Sequence, residues 1–194
     1  MRQPLTVIEP DVAVTASGLS SLRVPLWAPW PIPAGWTFAG AAHTDAATVG
    51  CWWAEDPFGD PTEVMFVCEE AGAGVGAHLS GLPRDYPNAE VGVGPPHARF
   101  TIEGHVLPLW AVDAEPLSPT APTAVENRDR AVYAGEAAGR WLWTIVHPAE
   151  AGVIVIQPLT LLDARALGAE LELLPLGELS PRLVIAAAPE PPPP

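Results

Sequence analysis

The sequence has 194 residues, 48% of them hydrophobic, and a formal net charge of -14, which fits one domain with trimmings and a sizeable core. Every basic side chain apart from histidine is an arginine, and so acidic a balance excludes a sequence-independent nucleic-acid binder or a protein of anionic membrane surfaces, both of which need cationic residues. Two cysteines are too few for a disulfide scaffold or a zinc site of their own, and no run approaches the roughly 20 apolar residues of a membrane helix or forms a signal peptide, so the reading is a cytoplasmic protein.

Residues 1–20 mix Val, Ala, Ser and Pro with weak periodicity and read as a mobile N-terminal arm. The stretch from Val24 to Trp36 follows, with Trp27, Trp30 and Trp36 set among Pro25, Pro29, Pro31 and Pro33. Proline fixes φ and removes a donor, so this lead-in is extended and stiff, neither helix nor central strand. Gly35 then turns the chain into a first strand, Trp36 to His43.

Thr48–Ala54 and Thr62–Glu69 read as strands around the turn-rich Asp56-Pro57-Phe58-Gly59-Asp60-Pro61. Centring the loop between Gly59 and Asp60 sets Cys51 opposite Cys68 and Trp53 opposite Phe66, with Val49, Cys51, Trp53, Val64, Phe66 and Cys68 on one face. Residues 69–97 read as loop. Ala98–Glu103 and Val106–Val112 form a hairpin turning at Gly104-His105 in the II′ manner, with Ile102 opposite Leu107, Phe100 opposite Leu109 and Arg99 against Trp110.

Residues 113–129 read as a flexible excursion. Arg130–Ala134, Arg140–Val146 and Val153–Gln157 then make a three-stranded meander, with Trp141 and Trp143 on one side and Trp143 between Val132 and Ile156. A helix begins at Thr160 or Asp163, with Asp163 as its cap and Leu162, Leu167, Leu171 and Leu174 on one face, and ends at Pro175. The single domain spans 21–184, and 185–194 is a Pro-rich disordered tail. The fold class is α+β: a mainly antiparallel sheet of hairpins and meander with one C-terminal helical element.

Four blocks, Val24–Trp36, Gly104–Trp110, Gly135–Trp143 and Leu179-Ser180-Pro181-Arg182-Leu183, together resemble an actinobacterial family of unknown function, over about residues 20 to 184. Some of its members carry a phosphotransacetylase label. Members commonly begin with a zinc-ribbon-like segment of paired cysteines. This chain has no cysteine before Cys51, so zinc binding is not carried over, and the resemblance implies no catalytic residue.

The candidate binding residues are Trp27, Trp30, Trp36, Glu136, Arg140 and Trp141. The first three indoles either anchor the lead-in on the sheet or form a proline-framed surface for a partner. Glu136 and Arg140 flank a tight loop beside Trp141, as a loop-closing ion pair or as a recognition spot next to an aromatic platform. Gly72, Gly74 and Gly76 make a flexible loop or an anion cradle without phosphate-loop spacing. Cys51 and Cys68 are core thiols, with a disulfide or metal pair as alternatives. His43, His78, His97, His105 and His147 are scattered over surface or turn positions.

No Ser/His/Asp order, metal-binding helix or carboxylate dyad emerges. No catalytic residue, metal or cofactor is therefore assigned. The reading is a non-catalytic cytoplasmic domain that binds a protein partner or a small ligand and self-associates as a homo-oligomer, with no nucleic acid and no membrane. The alternatives are an enzyme of unassigned reaction and a structural or regulatory component of a larger assembly.

Overall fold

The computed structural model describes residues 3–55, 59–82, 91–92, 94–112, 130–152 and 157–189. Ten strands are described: β1 (Thr6–Ile8), β2 (Trp27–Pro29), β3 (Thr37–His43), β4 (Ala47–Glu55), β5 (Pro61–Glu70), β6 (Ala98–Ile102), β7 (His105–Ala111), β8 (Ala131–Ala137), β9 (Arg140–His147) and β10 (Thr160–Asp163). The short helices are α1 (Pro10–Ala13), α2 (Val75–Leu79) and α3 (Pro181–Ala187). The strands form one sheet in the order β1-β3-β4-β5-β9-β8-β7-β6-β10-β2. Every pairing is antiparallel except β10 with β6. The expected α+β class, mainly antiparallel with a C-terminal helix, is the one found.

The sheet curls until strands from one end lie over its middle. Thr48 Oγ1 of β4 donates to Pro25 O (2.5 Å), just before β2. The inner face packs Trp52, Val64, Phe66, Leu142 and Val146 against Phe100, Leu109 and Leu161. Phe66 and Phe100 meet edge to face, 6.1 Å between centroids. The outer face carries Val49, Cys51, Met65, Val67, Trp143 and Ile145, covered by Leu5, by Val75 and Ala77 of α2, and by Leu183 of α3. Residues 62–69 of β5 are consequently all buried, as a strand covered on both sides must be.

Several expectations change. The first 20 residues do not form an arm apart from the fold. β1 pairs with β3, Thr6 opposite His43, and Leu5, Ile8, Ala13 and Leu19 are buried, because these apolar side chains fill what the sheet edge leaves open. Cys51 stands opposite Met65 and Cys68 opposite Thr48, three positions from the predicted register. An odd slip exchanges the faces, so Cys51 lies outside and Cys68 inside. The strand expected to begin at Trp36 starts one residue later, after Gly35 at φ 81°.

The β6–β7 turn is Glu103-Gly104, both with positive φ (51° and 80°), which is the I′ geometry whose twist suits a hairpin. Phe100 then faces Leu107, Ile102 faces His105, and Arg99 faces Pro108 rather than Trp110. β8 and β9 form the predicted hairpin, but its first strand runs three residues past the expected end at Ala134, to Ala137, and the turn is the pair Ala138-Gly139 alone (φ 53° and 76°). Trp141 and Trp143 share its outer face. The neighbour of β9 on its other side is β5, so Trp143 lies between Ala134 and Val67. Residues 153–156 of the third expected strand of the meander, the whole excursion at 113–129 and the last residues of the tail fall outside the described residues.

The helix expected from Thr160 or Asp163 is a strand followed by 3-10 turns at Ala164–Ala166 and Gly168–Leu173. Asp163 does cap, accepting from Arg165 N (3.1 Å). Leu167, Leu171 and Leu174 do bury together. Gly168, at φ 57°, interrupts a helix there. The regular C-terminal helix is α3 instead, reaching Ala187 inside what the sequence marks as tail.

Candidate functional site

The outer face of the sheet holds a polar row. Trp53 of β4 stands opposite Glu63 of β5, and Glu63 stands opposite His147 of β9. Directly opposed residues on antiparallel strands share a face, with Cβ atoms about 5 Å apart. Glu63 is 1% exposed and His147 is 5% exposed.

Residues 175–180 bring the next elements onto this row. Phe38 N donates to Pro175 O, Gly177 N to Phe38 O and Ser180 N to Ala39 O. The Trp53 indole donates to Glu178 O (2.7 Å). Gly177 is required for that approach, since a Cβ there would come within 2.8 Å of Trp53 Cδ1.

Ser180 begins α3 and does two things at once. Its Oγ accepts from Leu183 N (3.3 Å), a cap with Pro181 following it. The same hydroxyl donates to Glu63 Oε2 (2.8 Å). Arg182 Nη1 lies 3.8 Å from that oxygen. Glu63 Oε1 is buried and has no hydrogen-bond partner among the described residues.

Burial pushes the Glu63 carboxyl above its usual range, against the Ser180 hydrogen bond and the Arg182 charge. Cys51, fully buried alongside, is held well above the ordinary thiol value by burial and then by the Glu63 charge. It is a poor nucleophile in that state. A cleft of about 420 Å³ lies beside the buried carboxylate, lined by Trp53, Pro61, Glu63, His147, Pro148, Glu150 and Arg182. It offers a buried acceptor, a cation at the rim, a histidine and apolar walls.

The residues singled out from the sequence lie elsewhere. Trp36 is buried, and Trp27 and Trp30 are half-buried against the inner core. Trp27 donates toward the Cys68 thiol, which burial pushes up to about 11, and Arg140 lies near the same sulfur. Glu136 stands opposite Trp141, and Arg140 opposite Ala137 and Glu70. The two charges project from opposite faces of the ribbon, so they do not close the loop as an ion pair. Both are exposed, and Trp141 is half-buried on the outer face.

The glycine-rich loop cradles an anion that belongs to the chain. Val75 N (2.7 Å) and Gly76 N (3.1 Å) donate to Glu69 Oε2, and the Trp143 indole donates to Oε1 (2.7 Å). Gly76 has no alternative, because a Cβ there would run into the Trp143 ring. Cys51 and Cys68 are free, buried thiols on opposite faces. Among the described residues no three His, Cys, Asp or Glu side chains group as metal ligands.

Sequence reasoning passed over Glu63, Ser180 and Arg182, and took His147 for a turn residue. The available signals were an acid opening an otherwise apolar strand, and a Ser-Pro pair reading as a helix start in one of the four recurring blocks.

Fold and site together define a curled, mainly antiparallel α+β domain with a half-satisfied buried carboxylate at a cleft. Residues 3–183 match a family of unknown function, DUF6758, and the chain belongs to that family. No curated protein and no solved structure matches it. No helix among the described residues is long and apolar enough to cross a membrane.

Proposed function

We propose that this chain is a non-catalytic binding domain, working in the cytoplasm of an actinobacterium, whose ligand enters the Glu63 cleft. One observation carries the reading: Glu63 Oε1 is a buried carboxylate oxygen with no partner among the described residues, on a residue that forms part of the wall of a cleft. Leaving such an atom unsatisfied costs about 1–3 kcal/mol or more, and a bound donor recovers that cost. Trp27, Trp30, Glu136, Arg140 and Trp141, with Trp36 buried behind the lead-in, belong to the same proposal as positions on two faces of the sheet for a protein partner or a second copy of the chain.

The test is a charge-diverse small-molecule screen by thermal shift, followed by calorimetry of hits on the protein and on its Glu63→Gln variant. Hits that lose affinity in the variant support the cleft. Hits indifferent to Glu63, or none, overturn it. Light scattering over a concentration series checks the homo-oligomer, and a monomer throughout removes it.

A second reading, an enzyme, is favoured by the pairing of Glu63 with His147 inside one cleft, an arrangement that acid–base chemistry uses. Mass spectrometry of a hit after prolonged incubation separates the two: intact ligand supports binding, and a product supports the enzyme.

A further inference from the structure

Resting on the binding reading above, we infer that the cleft takes a small organic cation, a molecule whose primary ammonium group seats on Glu63 Oε1 and whose hydrocarbon stem lies along Trp53 and Pro148. An ionised carboxylate is an acceptor only, and an ammonium carries three donors and no acceptor. It would satisfy Oε1 and supply the counter-charge that a buried carboxylate needs. Arg182 does neither fully: its nitrogen is 3.8 Å away, on the side of Oε2, and its side chain is 48% exposed.

The surroundings select the same charge. Glu150 joins Glu63 in the cleft lining against the single guanidinium of Arg182. An indole face attracts cations, and Trp53 is fixed at the cleft by its bond to Glu178 O. The chain's net charge of -14 concentrates cations around it. An anion, by contrast, meets Glu63 only after that group takes up a proton. The volume, about 420 Å³, admits a small molecule and not a folded partner.

A pH signature follows. The titratable groups around Glu63 are Cys51 of β4, His147 of β9, Glu150 of the turn after β9 and Arg182 of α3. Seating an ammonium displaces the proton that burial helps Glu63 retain. Affinity therefore rises with pH, by about tenfold per unit below the Glu63 pKa, and levels off above it. In Glu63→Gln that rise with pH should disappear.

The experiment titrates n-butylammonium chloride and, separately, sodium butyrate at matched ionic strength into the full chain. The probes are the ¹H–¹⁵N signals of the Trp53 indole and the Arg182 side chain, followed from pH 5.5 to 8. Butylammonium should shift both, more tightly at pH 8. Glu63→Gln should weaken it tenfold or more with melting temperature retained, and Arg182→Gln, which removes the competing cation, should tighten it severalfold.

Arg182→Gln decides the matter if Glu63→Gln fails to fold, and weaker binding in that variant overturns the inference. Shifts caused by butyrate alone overturn the cation assignment and leave the binding reading standing. If neither ion shifts the signals, the cation assignment falls, and the charge-diverse screen decides the wider reading.

Discussion

Glu63 and Glu69 sit on one strand, six positions apart and on the same face, and both are almost wholly buried, 1% and 3% exposed. Their surroundings differ. Glu69 receives three donors, from Val75, Gly76 and Trp143, and both of its oxygens are engaged. Glu63 receives one among the described residues, from Ser180, and keeps a buried oxygen without a donor beside a cleft. Identical residue types at similar depth thus separate into a group that staples α2 to the sheet and a group that is available to bind. Donor supply, rather than burial, tells a structural carboxylate from a receptive one.

The comparison breaks most visibly at Glu69. Glu69→Ala strands the Trp143 indole and two backbone N–H groups and leaves a void. It should lower the unfolding free energy by about 3–5 kcal/mol, read from urea denaturation. A loss below about 1 kcal/mol would mean that the staple is ornamental. Glu63→Gln should stay within about 1 kcal/mol of the parent protein. The amide keeps a bond to Ser180 and removes a buried charge, and the new N–H₂ inherits the open position. A large loss there would make Glu63 structural after all.

The smallest effect is on pH dependence. Burial raises the folded-state pKa of both carboxyls above the ordinary value, so the folded state holds protons that the unfolded chain releases. Their contribution to stability is fully present below the ordinary carboxylate pKa and is lost as pH rises through the raised values. Urea midpoints should fall between pH 4.5 and 8, and Glu63→Gln should flatten part of that slope. An unchanged slope would show that Glu63 keeps an ordinary pKa.

Local grammar was legible where it was strong. The existence of the β8–β9 hairpin, the shared face of Trp141 and Trp143, the turn at Gly35 and the Asp163 cap follow from neighbouring letters. The β4–β5 register did not, because the middle of β5, Val64 to Cys68, is apolar on both faces and its alternation gives no clue to which side is which. The pairing of β1 with β3 is a tertiary decision that the weak periodicity of residues 5–8 does not announce.

The cleft was illegible for a related reason. It is assembled from Trp53, Glu63, His147 and the Ser180–Arg182 helix start. Each looks like an ordinary strand end or surface charge until β9 is laid beside β5. The glycine loop was misleading in the opposite sense, since the anion it holds is Glu69.

The sheet closes late. Among the described residues β2 takes its ladder from β10 alone, with Trp27 opposite Asp163, and β10 adds itself parallel to β6. A growing polypeptide exposes the indoles of its lead-in well before residues 160–163 have left the ribosome. Such distant pairings close slowly and leave apolar surface waiting. Nascent chains halted anywhere short of Asp163 should therefore be the form of this protein that most needs a chaperone.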